Sequence, residues 1–133
     1  MNLSIDKMDS CIFCSEQIII HETELTYVTY DTYPASPGHA LVITKRHVPN
    51  YFDCTDEEVI ELWQSVNQAK RIIDQDHAPD SYNIGINVGA VAGQSVPHIH
   101  IHIIPRYKGD VEDPRGGVRS VIPHKRRYTR RED

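Results

Sequence analysis

From His98 to Ile103 the chain alternates strictly, with His98, His100 and His102 interleaved with Ile99, Ile101 and Ile103. A repeat of two belongs to a β-strand, so the three imidazoles share one face and the isoleucines pack on the other. The strand is expected from His98 to Ile104, with Pro105 closing it. Two further strands are predicted upstream, Leu25–Tyr30 and Ala40–Thr44. The turn residues Pro34, Pro37 and Gly38 between them imply an antiparallel pair. A fourth strand is expected over Tyr82–Val88. Between these lies one helix, Asp56–Asp74. Thr55 and Glu58 form a capping box at its start. Val59, Ile60, Trp63, Val66 and Ile73, widened by Leu62 and Ala69, form its apolar stripe. A helix covering a mostly antiparallel sheet defines an α+β domain, with room for a short second helix.

A chain of 133 residues suits one domain, 1–133, and 39% hydrophobic with 25% charged residues suits a folded one. No apolar run approaches the roughly 20 residues that span a bilayer. The N-terminus lacks the pattern of a secretion signal, so a cytoplasmic protein without membrane association is expected. The net charge of -5 is unevenly spread, since residues 106–133 carry 9 Lys/Arg against 5 Asp/Glu. That basic tail, within or wrapping the domain, can attract phosphate. The cationic residues are not interleaved with aromatics, which argues against nucleic-acid binding. The three cysteines, an odd count, argue against a disulfide framework. Cys54, before the helix, reads as an inert small side chain.

Three imidazoles in register can attack, move a proton or bind a metal. Same-face residues on a strand lie roughly 6.6–6.8 Å apart, so one ion held by all three needs an awkward fan. A division of labour fits better, with His100 as nucleophile and His102 on a phosphate. Gln94 and Ser95 in the preceding "GQS" offer donors for phosphoryl oxygens, and Asn87 ends the neighbouring strand. The loop lacks the Lys-Ser/Thr ending of a P-loop. "CIFC" places Cys11 and Cys14 at the spacing of a zinc corner or a redox pair. A tetrahedral site needs two more ligands, for which His47 and His98 border strands.

"HIHIHII", preceded by "GQS", resembles the signature of the histidine-triad (HIT) family of nucleotide hydrolases and transferases. The resemblance runs from "CIFC" through "SPGHALVITKRHV" to "NVGAVAGQSVPHIHIHIIPR", about residues 11–106. "PRYKGD" resembles the branch that hydrolyses diadenosine polyphosphates, and "DPRGGVRSVIP" resembles tails of microbial members. The resemblance implies a HIT-like fold and a nucleotidyl hydrolase that cleaves dinucleoside polyphosphates through a covalent nucleotidyl-His100 intermediate. Nucleoside phosphoramidase activity and non-catalytic nucleotide binding are the alternatives. It further implies that the His98 carbonyl fixes the His100 tautomer and that His102 contacts phosphate. His39 supports the nucleophile, and Asn87, Gln94 and Ser95 bind phosphates. Structural zinc on Cys11, Cys14, His47 and His98, no organic cofactor and a homodimer follow from the same source. Leu25, Tyr27 and Ile43 are candidates for lining a base cleft, though each is a stronger candidate for core packing. Arg106, Arg115 and Arg119 are candidates for the outer phosphates. Pro97, before the triad, departs by removing a backbone donor.

Overall fold

The computed structural model describes residues 7–128. Five strands, β1 (His21–Glu22), β2 (Thr26–Tyr30), β3 (Ala40–Thr44), β4 (Ser81–Gly85) and β5 (His100–Arg106), form one sheet in the order β1-β2-β3-β5-β4. Every pairing is antiparallel. The central strands carry β-branched residues suited to a pleated surface that is buried on both sides. Beside the sheet lies α1 (Asp56–His77). Thr55 accepts from the Glu58 amide while the Glu58 side chain accepts from Thr55, so the expected capping box is formed. The expected short second helix takes the form of 3-10 turns, at Tyr51–Asp53, Ala90–Ala92, Gly117–Val121 and Pro123–Lys125.

The alternation of the histidine strand sorts its side chains as expected. Ile99, Ile101 and Ile103 join Val28 and Val42 in a core closed by Leu62, Val66, Ala69 and Ile73 of α1. Each such buried Val, Leu or Ile side chain contributes about 1.5–3 kcal/mol. The buried stripe of α1 is rotated from the expected one: Ile60 and Trp63 are exposed, and Ser65 is buried instead. Positions 62, 66, 69 and 73 follow the helical repeat, and Ile60 and Trp63 fall outside that arc. Ser65 is accommodated because its hydroxyl bonds Thr26 Oγ1 at 2.8 Å.

Several boundaries also differ, and the short β1 is an addition to the expected strands. α1 continues three residues beyond Asp74, where the apolar pattern has already ended, and stops where Ala78 adopts a left-handed backbone, φ 49°. β4 ends at Gly85, opposite His102. β5 begins at His100 and runs through Pro105 to Arg106. Pro105 is tolerated because the β3 ladder has ended at Ile103, and Ser36 Oγ donates to the Pro105 carbonyl at 2.6 Å. The turn before β3 packs tightly on α1. A Cβ at Gly38, φ +87°, would come within 2.8 Å of the His77 ring.

Candidate active site and metal centre

Register places the chemistry on the sheet face opposite α1. Tyr27 pairs with Ile43 and Ile43 with His100, while Thr29 pairs with Leu41 and Leu41 with His102. Tyr27, Leu41 and Ile43 form a second small core beneath Phe13. Ile43 is thus a core residue, Tyr27 is buried but also lines a cleft with Phe13 and Lys45, and the Leu25 amide is taken up by Glu61. Phe13, one of the two residues between Cys11 and Cys14, meets the His100 ring edge-on with centroids 4.9 Å apart.

Hydrogen bonds fix the tautomers along this face. His100 Nδ1 lies 2.8 Å from the His98 carbonyl oxygen. A carbonyl only accepts, so Nδ1 carries the proton and Nε2 keeps its lone pair. Burial lowers the His100 pKa, outweighing the carbonyl and Asp31, which raise it. The ring therefore stays neutral under conditions where a free imidazole begins to protonate. A second chain starts at the Ala35 amide, which donates to His39 Nδ1 at 2.9 Å. His39 Nε2 then holds the proton and donates to His102 Nδ1, 3.0 Å away. This leaves the proton of His102 on Nε2, as a donor. Burial, with His100 and His39 close by, lowers the His102 pKa to about 4. His39 is likewise lowered by burial, although Asp31 Oδ2 lies 3.6 Å from its Nε2. His39 thus meets His102 and not the expected nucleophile, His100.

Four donors converge elsewhere. His98 Nδ1 lies 3.4 Å from Cys11 Sγ and 3.5 Å from Cys14 Sγ, and His47 Nδ1 lies 3.3 Å from Cys14 Sγ. The four ligand atoms lie within 4.8 Å of one another. The Thr44 carbonyl sits 2.8 Å from His98 Nε2, so that nitrogen donates and Nδ1 presents its lone pair to the thiols. Burial holds the His98 pKa near 4, which favours the neutral ring that a metal requires. Burial also pushes the Cys14 thiol up, and the adjacent Cys11 adds to this, a cost that a cation would reverse. The donor set fits a metal ion. Asp31, His39 and His102 also approach one another. There the Ala35 amide occupies His39 Nδ1, so Nε2 is committed to a proton, and that set fits a hydrogen-bond relay better. Cys54, raised to about 11 by burial, is an unreactive thiol as expected.

The remaining predicted residues divide. Asn87 lines a cleft together with His39 and His102. Gln94 instead braces its own loop. It accepts from the Gly89 amide at 2.9 Å and donates to the Pro49 and Val96 carbonyls at 2.5 and 3.1 Å. Ser95 is exposed. Arg106 is held by both oxygens of Asp110, at 2.7 and 2.9 Å, and by Asn83 at 2.6 Å. Arg115 faces Asp113, and Arg119 bonds the Lys125 carbonyl and stacks on Tyr128. Phe13, Asp31 and the Ala35 amide are site residues that the sequence reading missed. Their places inside "CIFC" and "YDTYPASPGH" carry the only signal for them.

A face of interleaved imidazoles on this sheet defines the class, and the comparisons agree. The family profile described as HIT domain matches residues 14–109, and the chain belongs to that family. A Schizosaccharomyces pombe protein named bis(5'-nucleosyl)-tetraphosphatase [asymmetrical] is 40% identical over 95 residues, covering 71% of this chain and 52% of that protein. A Mycobacterium tuberculosis AP-4-A phosphorylase is 37% identical over 119 residues, covering 87% of this chain and 60% of that protein. The chain therefore spans only about half to three-fifths of the length of these relatives. The crystal structure of a zinc-bound histidine triad family protein from Mycobacterium smegmatis superposes with a TM-score of 0.69 at 35% identity, covering 76% of this chain and 78% of that one.

Proposed function

We propose that the chain cleaves dinucleoside polyphosphates at the α-phosphate through His100. The observation that carries this reading is the bond from His100 Nδ1–H to the His98 carbonyl, which leaves the Nε2 lone pair free to attack. In the proposed step a bond forms from Nε2 to the α-phosphorus and the bond to the bridging oxygen breaks. The departing nucleotide keeps that electron pair. Water then attacks the phosphorus, restores the ring, yields the nucleoside monophosphate and loses its proton to solvent. His102 Nε2–H donates to a phosphoryl oxygen, stabilising charge there. Asn87 binds phosphate from the cleft, and Ser95 is free to do so. Gln94 assists by holding the loop in shape. Incubation with diadenosine tetraphosphate should release nucleoside monophosphate, whereas His100→Gln should be nearly inert. Full activity in that variant overturns the assignment.

A second reading rests on the relative named AP-4-A phosphorylase. If phosphate replaces water in the second step, the product is a nucleoside diphosphate. Product analysis with and without phosphate separates the two. Parallel assay of a nucleoside phosphoramidate tests the alternative leaving group, and binding without turnover would indicate a non-catalytic module.

The metal on Cys11, Cys14, His47 and His98 is proposed to be zinc, as in the zinc-bound relative. Four protein ligands would make it a structural ion tying the N-terminal segment to the sheet. Metal analysis should find one zinc per chain. Among the described residues no helix is long and apolar enough to cross a membrane. Cysteines kept as thiols or metal ligands rather than disulfides suit the reducing cytoplasm. Strand β4 lies at the sheet edge with Ile84 exposed, which offers a place for a second copy in the proposed homodimer. Light scattering tests that assembly.

A further inference from the structure

The sequence marks the basic tail as able to attract phosphate, with Arg106, Arg115 and Arg119 as candidates for the outer phosphates. Among the described residues its arginines are committed to internal contacts rather than to a free phosphate cradle. Asp113 gathers the guanidinium groups of Arg115, Arg126 and Arg127, and Arg126 also donates to the Asp113 carbonyl at 2.7 Å. A Cβ at Gly116, φ +95°, would collide with the Arg126 carbonyl, so the backbone approaches itself closely there. Gly117 packs near the Asn83 amide. The tail is thus a built structure laid against β4.

Between the tail and the sheet lies a cleft of about 780 Å³. That volume falls within the range of about 300–1,000 Å³ typical of small-molecule sites. One end is formed by His39, Asn87 and His102, so the cleft is continuous with the imidazole face. The rest of its wall includes Val111, Val118 and Val121, which remain 47%, 65% and 74% exposed. Apolar side chains gathered in an open cleft beside a reactive face mark a binding surface. Charge selects the occupant. Arg106, the cation in the wall, is neutralised by Asp110 and bonded to Asn83. Such a wall suits a flat, uncharged aromatic group better than a polyphosphate.

We infer that the tail and β4 form the subsite for the second nucleoside of the substrate, the one carried away on the leaving nucleotide. This rests on the proposed reaction and adds the determinant that selects dinucleoside over mononucleoside substrates. The test replaces Val118 and Val121 together, Val118→Asp and Val121→Asp, at positions whose exposure tolerates charge. Diadenosine tetraphosphate is compared with adenosine 5'-phosphofluoridate, whose leaving group is fluoride alone. KM for the dinucleotide should rise about tenfold, while kcat/KM for the fluoridate stays within about twofold. Equal loss on both substrates, or no change on either, overturns the subsite. Binding is followed separately by methyl NMR with a methylene-bridged, non-hydrolysable diadenosine tetraphosphate. The Val118 and Val121 methyls should shift with this analogue and not with AMP. If the wild-type chain cleaves neither substrate, the proposed reaction fails. The NMR titration still decides the subsite, since absent or AMP-like shifts refute it and analogue-specific shifts support it.

Discussion

The His39 relay yields a graded prediction. Replacing His39 with Ala removes the donor to His102 Nδ1 at 3.0 Å and the acceptor of the Ala35 amide at 2.9 Å. His102 is then free to move its proton to Nδ1, which would turn a lone pair rather than a donor toward the phosphate. A buried hydrogen bond contributes about 1 kcal/mol net, and stranding a buried partner costs about 1–3 kcal/mol. At roughly 1.4 kcal/mol per tenfold, His39→Ala should lower kcat/KM by about 10-fold to 100-fold, well short of the loss from removing the nucleophile. His39→Gln places an amide donor near the position of Nε2 and should recover most of that loss. His39→Asn should keep the Ala35 contact and recover little. The assay is steady-state cleavage of diadenosine tetraphosphate. Thermal melts establish that each variant is folded, because His39 is only 4% exposed and truncation leaves a hole. Equal impairment in Gln and Ala, or wild-type rates in Ala, refutes the relay.

Chelation of the proposed metal should free the segment around Phe13, lower Tm and expose Cys11 and Cys14 to alkylation; thiol counting with and without chelator measures this. Glu58→Ala should destabilise the fold by about 2 kcal/mol in urea titration, since it removes the two bonds to the Arg46 guanidinium, at 2.8 and 3.1 Å, and half of the capping box. Because the folded pKa values of His39 and His102 lie below that of free imidazole, the unfolded chain binds more protons between about pH 6.5 and pH 4. Stability should therefore rise with pH across that window and fall on acidification, as pH-dependent denaturation can show. Gly116→Ala should loosen the tail, read as faster proteolysis after Arg115 or Arg119 with the sheet intact.

Elements with short-range signatures were legible from residue order. The capping box marked the start of α1, and the period-two alternation separated Ile101 from His100 and His102. The match of "CIFC" with His47 and His98 also survives, since all four donors converge. What required the fold was direction. Trp63 reads as core by hydrophobicity, yet it lies just outside the helical arc that faces the sheet, and its indole reaches Tyr51 Oη at 3.3 Å. His39 could be placed near the triad, but which histidine it serves depends on the β3–β5 register, which pairs Leu41 with His102. Gln94 looks like a ligand donor in isolation, and only the path of the loop shows its amide turned back onto Pro49 and Val96. Pro105 reads as a strand end until the short reach of β3 makes its missing donor harmless.

His98 performs two tasks through different parts of one residue. Its ring belongs to the thiol cluster, and its carbonyl orients His100. Every amino acid has a carbonyl, so the second task survives any replacement that leaves the backbone path unchanged. A lineage could therefore discard the metal and substitute position 98 while retaining a correctly poised neighbour, because the two constraints are inherited independently.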